Sequence, residues 1–90
     1  MWPSFDLWTV GVQMVRAADS VGADIAEASG RSTDADRRRF LIVARASALE
    51  LQHWLDRANR RALALPDGAQ QEAARLGRML NGLIKTRHQR

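Results

Sequence analysis

Ser20-Val-Gly-Ala-Asp-Ile-Ala-Glu-Ala-Ser-Gly-Arg31 decides the fold. Its apolar residues continue a 3.6-residue periodicity that starts near Leu7 and stops at Ser29-Gly30, where Gly30 suits the left-handed position after a helix end. With Pro3 and Ser4 as N-terminal capping chemistry, a first helix is predicted from about Phe5 to Ala28. At 100° per residue, Leu7, Gly11, Met14, Ala18, Val21 and Ile25 form one stripe at heptad-like spacing. Trp8, Val12, Val15, Gly22, Ala23 and Ala26 widen it on one side, and Val10, Ala17 and Ala28 on the other. The apolar arc covers roughly 240°, against the about 100° of an ordinary surface helix. Such a helix must be covered on two sides, so self-association is expected through Trp8, Val12, Val15, Gly22 and Ala26.

Downstream, Thr33 with Asp36 three residues on approximates a capping box, and Asp34 and Asp36 suit the positive end of a helix dipole. A second helix is predicted over 34–62, roughly 40 Å long at 1.5 Å per residue. Phe40, Val43, Ala44, Ser47, Leu51, Trp54, Leu55, Ala58 and Ala62 fall on its core face, with Ile42 and Leu49 almost opposite as further candidates for a subunit contact. Leu65-Pro66-Asp67-Gly68 breaks the chain, with Asp67 as the candidate cap of a third helix over 69–86. That helix carries a narrow stripe of Ala69, Ala73, Leu76, Met79, Leu80, Leu83 and Ile84. Leu7, Met14, Val21, Ile25, Phe40, Leu51, Leu55, Leu76, Leu80 and Leu83 are the predicted core. The fold class is all-α, an up-and-down helical bundle forming one domain over residues 1–90.

The first motif, with Phe40-Leu-Ile-Val-Ala-Arg-Ala-Ser-Ala-Leu-Glu50 after it, resembles the four-helix-bundle proteins encoded in the intervening sequences of bacterial 23S rRNA genes. Their pattern reads S-[VI]-[PG]-A-N-I-A-E-[GA]-x-G-R and then R-F-L-x-I-A-x-G-S-x-x-E. Here Asp24 stands where Asn is usual, and Ala28 and Ala46 where Gly is common. The resemblance implies a four-helix bundle whose first helix would precede Met1, so three of the four helices are expected here. It implies no enzymatic activity. A relative within that group, the accessory variability protein of diversity-generating retroelements, implies a homopentamer that binds a reverse transcriptase and nucleic acid.

Composition bounds the rest. Ninety residues support only a modest core. The absence of cysteine excludes a disulfide framework and thiolate metal sites, and no apolar run is long enough to span a bilayer, so a soluble cytoplasmic protein without a membrane partner is expected. Charge is uneven: residues 1–30 carry a net −3, 31–62 a net +4 and 63–90 a net +3. Thirteen of the fourteen cations are Arg, whose planar fork suits phosphate, so RNA or DNA is a candidate partner. Arg37, Arg38, Arg45, Arg57, Arg60 and Arg61 along the second helix are the candidate contacts; Arg38 and Arg45 are expected to be exposed. The competing readings are a purely protein–protein module or a truncated family member without nucleic-acid binding, and, for the charge alone, an Arg-rich genome bias.

No catalytic constellation is found: His53 and His88 are the only imidazoles, and neither is predicted beside a Ser on the core face. Glu50-Leu-Gln-His53 has the Glu-x-x-His form of di-iron bundles, but the second such pair is missing, so no metal or other cofactor is expected. Asp19, Ser20, Asp24, Glu27, Arg31, Ser47 and Glu50 are the polar residues of the motif and are read as scaffold. Glu27 and Arg31 are spaced for an i, i+4 ion pair. Asp19 falls within the apolar arc and is expected to meet an Arg from another helix, and Glu50 an Arg at a helix interface. Glycines 11, 22, 77 and 82 each cost about 1 kcal/mol inside a helix. Gly22, in a row with Ala18 and Ala26, is expected to admit a closely packed helix. Gly77 and Gly82 lie off the apolar stripe with no packing reason.

Overall fold

In a computed structural model the backbone is described for residues 3–88 and the side chains for residues 9–85. Three helices follow in order, α1 (Pro3–Ser29), α2 (Asp34–Arg60) and α3 (Ala69–His88), with no strand among the described residues. α2 starts at the expected residue: Thr33, in extended conformation, accepts a hydrogen bond on Oγ1 from the Asp36 amide at 3.2 Å, but the Asp36 carboxylate turns to Arg39 at 3.7 Å and does not complete the capping box. Asp34 and Asp36 lie in its first turn and Arg57 and Arg60 in its last, each complementing the helix dipole.

The other ends depart from expectation. Gly30 does not adopt the left-handed conformation; its amide is shared between the carbonyls of Ala26 and Glu27 at 3.3 and 3.2 Å, and an ordinary backbone suffices. The left-handed residue is Ala62, with φ 59°. The Leu63 amide reaches the Ala58 carbonyl and the Ala62 amide reaches that of Asn59, both at 3.0 Å, which closes α2 in a Schellman turn two residues before the predicted end. At α3 it is Gly68, φ 80°, whose carbonyl accepts from the Glu72 amide at 2.9 Å. The Asp67 side chain makes no capping bond among the described residues.

Cross-helix pairs fix the topology. Asp24 meets Ser47, Arg45 meets Asn81 and Asp56 meets Gln70, so α1 and α2 run antiparallel, as do α2 and α3. Both outer helices pack on α2, and their backbones do not approach each other within 8 Å. The result is long and thin, 51 × 19 × 16 Å, with a radius of gyration of 14.9 Å against about 12 Å for a compact chain of this length.

The core is built on alanine. Ala44, Ala48 and Ala58 of α2 are completely buried, and small side chains there let α1 and α3 come close. Val21 and Ala28 from α1 and Leu80 and Ile84 from α3 meet Leu41, Ala44 and Ala48 in one cluster, with Ile25, Phe40, Ile42 and Leu76 packed at its edge. Val21, Leu55 and Leu80 are buried as predicted, whereas Met14, Ile25, Phe40, Leu51 and Leu76 are half-buried and Leu83 is exposed. Leu7 lies outside the described side chains.

The differences have one pattern. On α1 the buried residues are Val10, Ala17, Val21 and Ala28, rotated roughly 60° at 100° per residue from the centre of the predicted stripe. On α3 they are Ala73, Leu80 and Ile84, displaced the opposite way and leaving Met79 and Leu83 exposed. The predicted stripes bisect the whole apolar arc of each helix; the buried residues are the part that α2 alone covers. On α2 the buried face also rotates, to Leu41, Ala44, Ala48, Leu55 and Ala58, because two helices flank it, and Val43 is left in solvent.

Candidate functional site

The uncovered apolar sectors of α1 and α3 face one another across α2. Met14, Val15 and Ala18 form one wall, Leu76 and Met79 with Ala69 and Ala73 the other, and Leu51 and Leu55 the floor. Leu65 and Pro66 of the connector close one end. This groove has a volume of about 550 Å³ and its lining is almost wholly apolar, with Glu72 and Arg75 the charged residues, joined to each other at 3.2 Å. Val15 is 60% exposed and Met79 52%. Facing apolar side chains left in water across the groove form one contiguous apolar patch rather than scattered surface residues.

The residues expected on a subunit face divide among several places. Val15 lines the groove, and Gly22 and Ala26 are exposed along the same helix. Ala18, Gly22 and Ala26 are all exposed and a Cβ on Gly22 would meet nothing within 4 Å, so no helix among the described residues packs on that row. Val12 is half-buried, Ile42 packs against the core cluster rather than standing on a free back face, and Leu49 is 59% exposed on the far side of the molecule. Trp8 lies outside the described side chains.

Of the polar motif residues, Glu27 and Arg31 meet at the α1–α2 turn. Arg31 pairs with Glu27 one turn earlier and sets its guanidinium 4.5 Å from the centre of the Phe40 ring, with Arg39 at 4.7 Å also over that ring. Arg37 joins the same corner, donating Nη1 to the Arg31 carbonyl at 2.7 Å and Nη2 to Asp34 at 2.5 Å. Ser47 donates to Asp24 at 3.4 Å, linking the two motif blocks across the helix interface. Asp19, Ser20 and Glu50 are exposed. The Arg partners expected for Asp19 and Glu50 are not seen among the described side chains; both residues are exposed, and a carboxylate open to solvent needs none. His53 is exposed and lies edge-on to the Trp54 ring at 5.0 Å, and no three potential metal ligands gather among the described residues.

The six arginines proposed for nucleic acid occupy three sites. Arg37 is engaged in the turn just described. Arg38 and Arg45 are half-buried rather than exposed; Arg45 lies beside the contact of α2 with α3, where it donates to Asn81 Oδ1 at 2.7 Å. Arg57, Arg60 and Arg61 surround a shallow recess of about 280 Å³ at the other end of α2, with Arg57 5.6 Å from the Trp54 ring.

No helix among the described residues is long and apolar enough to cross a membrane. Comparison with curated proteins and with solved structures returns no match. The pattern that defines the family described as 23S rRNA-intervening sequence protein matches residues 1–82, and the chain therefore belongs to that family.

Proposed function

We propose that this protein is a non-enzymatic helical scaffold that assembles with copies of itself. The α1/α3 groove is the observation that carries the reading. Apart from buried Ala73, its walls come from the parts of the apolar stripes that α2 leaves uncovered or half-covered, and the two parts face the same space. An amphipathic helix laid in that space would bury Val15, Leu51, Leu76 and Met79 together and complete a four-helix arrangement, with roughly 25 cal/mol gained per Å² of apolar surface removed from water. A second copy of the chain is the natural donor, since α1 carries more apolar surface than one neighbour can cover.

The chain has no cysteine, so Val15→Cys introduces a single thiol at the groove. Its reaction with a maleimide should slow as protein concentration rises, whereas a thiol at exposed Glu50 should keep a constant rate. Equal rates at all concentrations would refute assembly through the groove.

Contact with nucleic acid is the second part of the reading, supported by the separation of a net −3 on residues 1–30 from a net +4 on 31–62 and +3 on 63–90. Arg38, Arg45, Arg57 and Arg60 would meet phosphate without reading bases, so binding falls steeply with salt. Retention of labelled RNA on filters at about 50 mM salt, where this electrostatic term is strong, tests it. A purely protein–protein module would retain none.

A further inference from the structure

On the side of α2 away from the apolar groove, α2 and α3 flank a second open recess of about 430 Å³. Ala74 and Gly77 form its α3 side, and Arg45, Gln52, Arg78 and Asn81 supply its polar groups. No carboxylate lines it. Leu49, the apolar residue at its edge, is 59% exposed. We propose that this recess binds one nucleotide unit of a single-stranded nucleic acid, the phosphate on Arg45 and Arg78 and the base against Leu49. The proposal rests on the nucleic-acid part of the reading above and gives it a place and a strand type.

Three observations carry it. First, the charged groups of the lining are both guanidiniums, with the neutral amides of Gln52 and Asn81 beside them, so the recess favours an anion. Arg45 is already held by its bond to Asn81 Oδ1 at 2.7 Å, which lowers the ordering cost of binding. Second, Gly77 has no packing reason. A Cβ there would lie 4.0 Å from Gln52 Oε1, an ordinary contact, so the helices do not require glycine in order to approach. The missing side chain instead keeps the floor of the recess open. Third, Leu49 is an exposed apolar side chain at the edge of a cationic recess, which matches a ligand with an anionic part and a flat apolar part. A single strand can place its phosphate and its own unstacked base in one recess, whereas a duplex keeps its bases stacked inside and offers only phosphates. The volume lies in the range of small-ligand sites and suits one nucleotide.

The test is fluorescence anisotropy with a labelled 12-nucleotide single-stranded RNA and a duplex of the same length, at about 50 mM salt. Gly77→Leu fills the recess without changing charge and should weaken single-strand binding at least tenfold while leaving duplex binding within twofold. Arg45→Gln with Arg78→Gln should weaken single-strand binding and flatten its log affinity against log salt slope by about 1.4, two contacts at 0.7 each. Circular dichroism melts check that each variant folds; should Gly77→Leu not fold, the slope of the Arg pair decides. Unchanged affinity in Gly77→Leu, or an unchanged slope in the double variant, overturns the recess while general nucleic-acid binding stands. No binding of either RNA by the parent protein overturns both.

Discussion

Replacing Ala62 by glycine should make the protein more stable. Ala62 is the left-handed residue of the turn that ends α2, with φ 59°, and the turn's two closing hydrogen bonds are formed by backbone groups that the substitution leaves intact. An L-residue with a Cβ pays about 1–2 kcal/mol to adopt this conformation, a cost absent in glycine. Against that stands the larger entropy that glycine loses on folding, about 0.4–1 kcal/mol. Ala62 is exposed, so no buried contact is lost with its methyl group. The balance is a gain of about 0.5–1 kcal/mol, or a rise in Tm of about 2–8 °C for a chain of this size. Thermal unfolding followed by circular dichroism at fixed protein concentration measures it. A fall in Tm would show that α2 does not end in this turn.

Leu80→Ala should cost about 2–5 kcal/mol, since Leu80 is 1% exposed where all three helices meet, and urea titration gives the value. In the same titration Leu51→Ala, on the half-buried floor of the groove, should fall at or below the low end of that range. Thr33→Ala removes the side-chain acceptor of the Asp36 amide and should lower stability by about 1 kcal/mol, read as a lower Tm.

Much of the architecture is legible in the sequence because it is written in local signals. Thr33 with Asp36 marks the start of α2, Ser29-Gly30 and Leu65-Pro66 mark the breaks, and apolar periodicity marks the three helices. Phase is legible only to within about a sixth of a turn, the roughly 60° by which the buried face of α1 departs from the predicted stripe. Periodicity locates the centre of an apolar arc, but which part of it is buried depends on how many neighbours a helix has. On α2 the bulk of Phe40 and Trp54 draws the predicted face toward them, while tertiary packing selects the alanines that allow close approach. Ala62 escapes notice because glycine is the usual residue in its conformation, and for the same reason Gly30 is over-read. The Arg45 recess cannot be seen at all in one dimension. Leu49 and Gly77 look like unrelated exceptions on two helices until antiparallel packing sets them beside the same cavity.

Sedimentation velocity at tens of micromolar, comparing the parent chain with the double variant Val15→Asp, Met79→Asp, tests the central claim most directly. Both positions are more than half exposed within one chain, at 60% and 52%, so the carboxylates are well hydrated in a monomer and fatal only to a filled groove. The account predicts that the parent sediments as an assembly and the variant as a smaller species that retains its helical circular dichroism. A parent that sediments as a well-folded monomer, or a variant that assembles as the parent does, would contradict it.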